Sequence, residues 1–253
     1  MPEPMLAIRK LTKRFGGLAA NADVTLDIAP GETRAIIGPN GAGKTTLLSQ
    51  LAGELRPDEG TILFSGADIT RLSPRERSLA GIARSFQITS IMPSLSVLEN
   101  VVLGALSTQG RFLVNSWRPA SRNAAAQGLA RAALDQVGLL ARAEFRASDI
   151  SHGERRQLEL AIALATRPRL LLLDEPTAGM GREESRRVIR LIEALKARLT
   201  IVLVEHDMDV VFSVSDKITV MAGGTPIATG TPDEIRGDAR VREAYLGTKG
   251  ATT

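Results

Sequence analysis

Eight consecutive residues, Gly38-Pro39-Asn40-Gly41-Ala42-Gly43-Lys44-Thr45, constrain the fold more than any other part of this 253-residue chain. Residues 33–37 before them read as a buried strand, and Leu47, Leu48 and Leu51 after them recur at helical spacing. A glycine-rich turn between a buried strand and a helix start suits anionic oxygens. Gly38, Gly41 and Gly43 let the backbone wrap closely without Cβ clashes. Amides from Gly41 to Thr46 then point inward at a helix N-terminus. Lys44 is placed to reach β- and γ-phosphates, and the Thr45 hydroxyl to ligate Mg²⁺. A chance glycine turn does not account for all eight positions.

The second constraint is Leu170-Leu171-Leu172-Leu173-Asp174-Glu175. Four leucines bury a strand and end it on a carboxylate pair. Strand side chains alternate in direction, so the two acids can serve separate roles. Asp174 is expected to hold Mg²⁺ through water, and Glu175 to polarise an attacking water as general base. The competing reading is a surface acid pair opening the turn at Pro176, which the phosphate loop upstream argues against.

Composition narrows the chemistry further. The chain has no cysteine, which excludes disulfides, thiol catalysis and zinc knuckles. Its only histidines are His152 and His206, too few for a histidine-rich metal site. Aromatics make up 3%, so Leu, Ile, Val and Ala must carry the packing. The 32 basic and 28 acidic residues are interspersed, without a run of five Lys/Arg, and imply a mixed solvated surface rather than a nucleic-acid site. Residues 1–10 show no apolar segment of the secretory type. The apolar stretches near 97–106 and 170–173 fall far short of the ~20 residues that cross a bilayer.

Residues 7–8 and 24–28 alternate like half-buried strands, and Gly60 to Phe64 reads as another. Ser73-Pro74-Arg75-Glu76 resembles a capped helix start. From about 89 to 166 the pattern becomes helical. One helix spans 96–106, with Ser96 as N-cap and Glu99 three residues on. Leu129, Ala133, Val137 and Leu140 mark the stripe of another, and 107–122 reads as loop. The last third alternates again: strand 170–173, helix 182–199 with Val188, Ile192, Leu195 and Leu199 on one face, strand 200–204, then strands near Ile218 and Ile227. Strands alternating with helices around a phosphate loop imply a largely parallel sheet interrupted by a helical insertion.

The motif order resembles the nucleotide-binding subunits of ATP-binding cassette (ABC) transporters. Ile150-Ser151-His152-Gly153-Glu154 is similar to the family's signature motif, usually LSGGQ. In the family that turn clamps the γ-phosphate bound to a partner subunit, which implies roles for Ser151, Gly153 and Glu154. His152 and Glu154 depart from the usual glycine and glutamine. Ser151 and Glu154 also read as a capping box, and both readings can hold. Gln87 matches the Q-loop, implying contact with Mg²⁺ and the attacking water. His206 matches the switch histidine at the γ-phosphate, against the alternative of a structural histidine at a strand end. Phe15 stands where an adenine-stacking aromatic belongs, or is a plain core residue. The D-loop run Thr177-Ala178-Gly179-Met180-Gly181 lacks the usual Asp near Gly181.

The resemblance implies an α/β P-loop NTPase core with a mainly parallel sheet, an antiparallel N-terminal β subdomain and an inserted helical subdomain. One ATP-binding domain is expected over 5–247, its core at about 5–88 and 167–247, its helical subdomain at about 89–166, and a tail at 248–253. The implied cofactors are ATP and Mg²⁺. Residues 13–18, 205–208 and 241–247 look like the ATPases of branched-chain amino acid importers, a group with relatives handling amides or urea. The implied partners are a second ABC ATPase subunit, identical or different, two integral membrane permease subunits, and indirectly an external substrate-binding protein. No nucleic-acid partner is implied. That assembly puts the chain on the cytoplasmic face of the membrane. Lipopolysaccharide-type export ATPases share a similar ending and stay open as an alternative, as does a soluble non-transport ABC ATPase.

Overall fold

A computed structural model describes residues 3–85, 91–108 and 123–246, with side chains described through 244. Gln87 and the 109–122 part of the expected loop lie outside the described residues. Two sheets organise the remainder. A four-stranded antiparallel sheet has the order β2-β1-β4-β5, from β1 (Leu6–Phe15), β2 (Leu18–Ile28), β4 (Glu59–Phe64) and β5 (Ala67–Asp68). A six-stranded sheet has the order β10-β9-β3-β8-β7-β6. It joins β3 (Thr33–Ile37), β6 (Ile82–Ser85), β7 (Leu170–Asp174), β8 (Thr200–Val204), β9 (Lys217–Ala222) and β10 (Thr225–Gly230). Neighbours from β9 to β6 run parallel, and only the edge strand β10 is antiparallel.

The leucine run shows how the larger sheet is held. All four leucines of β7 are inaccessible to solvent. Leu171 and Leu173 join the cluster under the helical insertion, whereas Leu170 and Leu172 join the cluster beneath the antiparallel sheet. A strand buried on both faces reads as a continuous apolar run. Each such leucine contributes roughly 1.5–3 kcal/mol of burial. A third cluster packs β3 and β9 against α7 (Met208–Val214), α8 (Pro232–Gly237) and α9 (Ala239–Leu246).

The insertion comprises α3 (Val97–Ser107), α4 (Ala124–Gln136) and α5 (His152–Ala165). Capping boxes start α3 at Ser96 with Glu99, and α2 (Pro74–Ala80) at Ser73 with Glu76. The face of α4 follows the sequence expectation at Ala133 and Val137, which are buried, and at Leu129, which packs against the cluster, but not at Leu140, and its buried part is wider. That part consists of Ala126, Ala130, Ala133 and Leu134, with Val137 as C-cap. Gly138, at φ 75°, turns the chain there, so Leu140 falls in a 3-10 turn and is exposed. Likewise α6 (Arg182–Lys196) stops before Leu199, which packs on the core from the following turn.

The first hairpin is also longer than its alternation suggested. Lys10 and Asp23 have positive φ, and the β1–β2 register shifts between Ile8 and Leu11 and again beyond it. Each bulge resets the period of two, leaving only fragments legible in sequence. Strand β6 carries too short an apolar pattern to be anticipated. Among the described residues no helix is long and apolar enough to cross a membrane.

A buried arginine fixes the phosphate-loop helix from behind. That helix, α1 (Lys44–Ala52), ends at Gly53, and the Arg77 guanidinium donates to the Gln50 and Leu51 carbonyls at 2.6 and 2.7 Å. It also reaches Leu72 O and Thr70 O. Burial pulls its pKa down to about 10. A cation at a helix C-terminus satisfies carbonyls that the helix leaves unpaired. Gln50 O also accepts from Gly53 N at 3.2 Å, so Arg77→Ala would leave chiefly the Leu51 carbonyl without its donor, beside a cavity, and is expected to destabilise the fold by about 3 kcal/mol in denaturant titrations. A loss below about 1 kcal/mol would contradict this account.

Candidate active site

Three adjacent parallel strands, β3, β8 and β7, end at one edge of the large sheet, and each carries a sequence motif at its carboxyl end. In open α/β sheets ligands bind outside such ends. Strand β3 runs into Gly38, β7 ends on Asp174 and leads to Glu175, and β8 leads to Glu205 and His206.

The phosphate loop is shaped by close backbone approach. A Cβ on Gly38 would lie 2.1 Å from Met221 O, and one on Gly43 2.1 Å from Ala20 O. Gly43, at φ 92°, is the N-cap of α1, and Gly41 is also in the left-handed region. A side-chain brace holds the loop from below. Gln50 Nε2 donates to Asn21 Oδ1 at 2.6 Å, and Asn21 Nδ2 donates to Gly43 O at 3.1 Å. Both residues are fully buried. Pro39 and Asn40 form the outer rim, Ala42 is buried, and Thr45 is exposed beside half-buried Thr46.

Lys44 folds back over this loop. Its ammonium donates to Gly38 O at 2.7 Å and Pro39 O at 3.0 Å. Burial lowers its pKa, while the charges of Glu175 and Asp174 oppose that shift. The cation and the two carboxylates therefore share one electrostatic environment. Asp174 is buried and accepts from Arg84 Nη2 at 2.7 Å. Arg84 also donates to Ser49 Oγ at 3.0 Å and pairs with Glu54, tying β6 to α1.

Glu175 takes φ 48°, a conformation uncommon for a residue with a side chain. Its amide donates to Val204 O at 2.8 Å, which fixes the turn against β8. Its carboxylate is 46% exposed and stands 3.9 Å from His206 Nδ1, beyond hydrogen-bond range. Both groups open to solvent where a ligand would lie.

A cradle this tight, ended by a lysine, a threonine hydroxyl and a buried aspartate, fits a Mg²⁺–nucleotide. Mg²⁺ commonly takes one or two carboxylates together with substrate phosphates. Among the described residues no cluster of three or more His, Asp or Glu could hold an ion by itself.

Phe15 is 53% exposed at the tip of the first hairpin, with Lys13 Nζ 5.7 Å from its ring centre. The core-residue alternative therefore fails. A flat exposed ring remains available for stacking.

Ser151 and Glu154 are not brought to this edge. Ser151 caps α5, accepting from Glu154 N at 3.2 Å, while Glu154 accepts from Ser151 N at 2.8 Å. Those amide and hydroxyl bonds hold the Glu154 carboxyl below its usual range, and Arg142 Nε adds a bond at 3.0 Å. Gly153 packs against α6, where a Cβ would meet Glu184 Oε1 at 2.6 Å. Glu184 in turn accepts from Gly181 N at 3.3 Å, replacing a side-chain cap at the D-loop end. Ser151, Gly153, Glu154 and Met180 line a hollow of about 310 Å³ that contains no phosphate-loop residue.

Comparison with known proteins decides the family. The model of the ABC transporter family matches residues 22–178. This chain belongs to the ABC transporter ATP-binding family. A second model, of the branched-chain amino acid ATP-binding cassette transporter, matches residues 225–251. The ABC chain is 40% identical to the high-affinity branched-chain amino acid transport ATP-binding protein LivG of Escherichia coli (strain K12), covering 98% of this chain and 99% of that protein. It is 38% identical to BraF of Pseudomonas aeruginosa over 98% of this chain and 99% of BraF. It is 36% identical to the fructose import ATP-binding protein FrcA of Rhizobium meliloti, over 92% and 90%. Among solved structures, a nucleotide-free ATP-binding cassette from an ABC transporter superposes with TM-score 0.85 at 29% identity, covering 96% of this chain and 98% of that one. A cassette in its ADP conformation gives TM-score 0.85 at 30% identity, over 96% and 99%. The ABC ATPase fold, with its antiparallel subdomain and helical insert, is thereby established.

Sequence reasoning missed the brace of Asn21 and Gln50, the Arg84 pair to Asp174, and the buried Glu205. Only Glu205 left a local trace, a carboxylate closing an otherwise apolar strand.

Proposed function

We propose that the chain is the ATP-hydrolysing subunit of an importer for branched-chain amino acids or related small molecules such as amides or urea. It forms one ATP-binding cassette over 5–247, with 89–166 as the helical subdomain. The convergence of Lys44, Asp174, Glu175 and His206 at the ends of three neighbouring strands is the observation that carries this reading. The C-terminal family match over 225–251 favours the branched-chain importers over lipopolysaccharide export.

In this scheme Phe15 stacks on adenine and the 38–46 backbone cradles the phosphates. Lys44 exchanges its bonds to Gly38 O and Pro39 O for the β- and γ-phosphates. Thr45, Asp174 and Gln87 hold Mg²⁺, which neutralises phosphate charge when bound. Glu175 accepts a proton from the attacking water, and His206 orients towards the γ-phosphate. Electrostatic positioning of this kind dominates phosphoryl transfer. Ser151, Gly153 and Glu154 complete the site of a second ATPase subunit. Their separation from the phosphate loop within one chain supports that arrangement. Closure of the pair drives two permease subunits at the cytoplasmic face of the membrane, and an external binding protein delivers the substrate.

Purification of the native complex from membranes tests the assignment. Two permease subunits and a binding protein for branched-chain amino acids or amides are expected to accompany the chain. Recovery with ribosomes or DNA, or with lipopolysaccharide-export subunits, would overturn it.

A further inference from the structure

Glu205 is an acidic side chain in a place where carboxylates are rarely found. It follows the apolar strand β8 and is 1% exposed. Buried charges persist where donors converge on them. Here two sets converge, one on each oxygen. Oε1 accepts from Thr177 N at 3.0 Å and Thr177 Oγ1 at 2.5 Å. Oε2 accepts from His206 N at 3.0 Å and from Asp207 N at 3.5 Å. One carboxylate thus spans two loops that are 28 residues apart in sequence. The first follows Glu175, and the second carries His206.

We infer that Glu205 is a positioning residue, a hydrogen-bonded clasp that fixes His206 to the turn after Glu175 so that the two reacting side chains keep a common register. Its side chain has no solvent exposure, and both oxygens are taken up by backbone and hydroxyl donors, with His206 Nδ1 at 3.7 Å beyond hydrogen-bond range. It acts through its neighbours. The Glu175 amide ties the turn to β8 through Val204 O at 2.8 Å, but the Glu175 and His206 side chains stand 3.9 Å apart and share no hydrogen bond, so their mutual register depends on the link through Glu205. A shift of about 1 Å at a reacting group can cost some 10²-fold in rate, so a clasp at this point sets turnover more than affinity.

Glutamine cannot replace the clasp. It has a single oxygen, so one of the two donor sets must face an NH₂ group instead. Thr177→Val removes only the hydroxyl bond and leaves the other three.

This inference rests on the ATPase reading for its kinetic test but not for its spectroscopic one. Glu205→Gln is expected to lower kcat about 10- to 100-fold, the scale of losing a hydrogen bond to a charged group, with KM for ATP within about twofold of wild type. In ¹⁵N-labelled protein without nucleotide, Thr177→Val is expected to move the backbone amide resonance of His206 through the shared carboxylate. Equal kcat in Glu205→Gln and wild type, or an unmoved His206 amide in Thr177→Val, would overturn the clasp. If Glu205→Gln does not fold, the Thr177→Val amide measurement decides alone. A wild-type chain that fails to hydrolyse Mg²⁺–ATP would instead sink the proposed function, and the amide measurement would still decide the clasp.

Discussion

Lys44→Ala is expected to remove tight ATP binding, weakening it by at least about 100-fold, and to bring hydrolysis to background. The side chain is buried under the loop, donates to Gly38 O and Pro39 O, and lies in the field of Asp174 and Glu175. A triphosphate entering this cradle brings several negative charges next to those two acids. Lys44 is the cation placed to offset them, and charge-assisted hydrogen bonds are roughly twice as strong as neutral ones. The fold should lose less than nucleotide binding does. Water can replace the donor at half-buried Pro39 O, whereas buried Gly38 O is left without its Lys44 bond, a loss of about 1–3 kcal/mol. Titration with a fluorescent nucleotide, phosphate release and thermal unfolding together separate these effects. Near-normal hydrolysis in the variant would refute the assignment of this loop.

Elements whose determinants are local could be read from the chain alone. The phosphate loop announces itself because Gly38 and Gly43 occupy positions that no Cβ can enter. Strand β7 is legible because burial on both faces demands an unbroken apolar run. Ser96 with Glu99 and Ser151 with Glu154 carry their caps within four residues. What escaped depends on partners distant in sequence or on shifts of register. The bulges at Lys10 and Asp23 hide the first hairpin. The exposed setting of Phe15 follows from where that hairpin tip projects, which no periodicity encodes. The brace from Gln50 through Asn21 to Gly43 crosses 29 residues with side chains that look like ordinary surface amides. The α4 face was read only in part: Ala133 and Val137 are buried and Leu129 packs against the cluster, but the buried Ala126 and Ala130 gave no stripe of their own and Leu140 lies beyond the helix, exposed.

Glu175→Gln is expected to keep ATP binding within a few-fold of wild type while slowing turnover by about 10²–10⁴, the usual contribution of a general base. The carboxylate makes no hydrogen bond to His206 and is half exposed, so an isosteric amide disturbs neither packing nor any clasp. The backbone here carries φ 48°, and such strain costs on the order of 1–3 kcal/mol. It persists because the amide of Glu175 is held on Val204 O and the following residue leads into the Thr177 bonds to Glu205. The surroundings thus fix the turn whichever side chain stands there, and glutamine inherits the same aim without the basicity. Because ATP stays intact in such a variant, two subunits should accumulate around two nucleotides. Size-exclusion chromatography with Mg²⁺–ATP is expected to show a dimer for Glu175→Gln, and a monomer once Ser151→Ala is added. Equal turnover in Glu175→Gln and wild type would exclude Glu175 as the base, whereas a monomer that hydrolyses at full rate would remove the need for a second subunit.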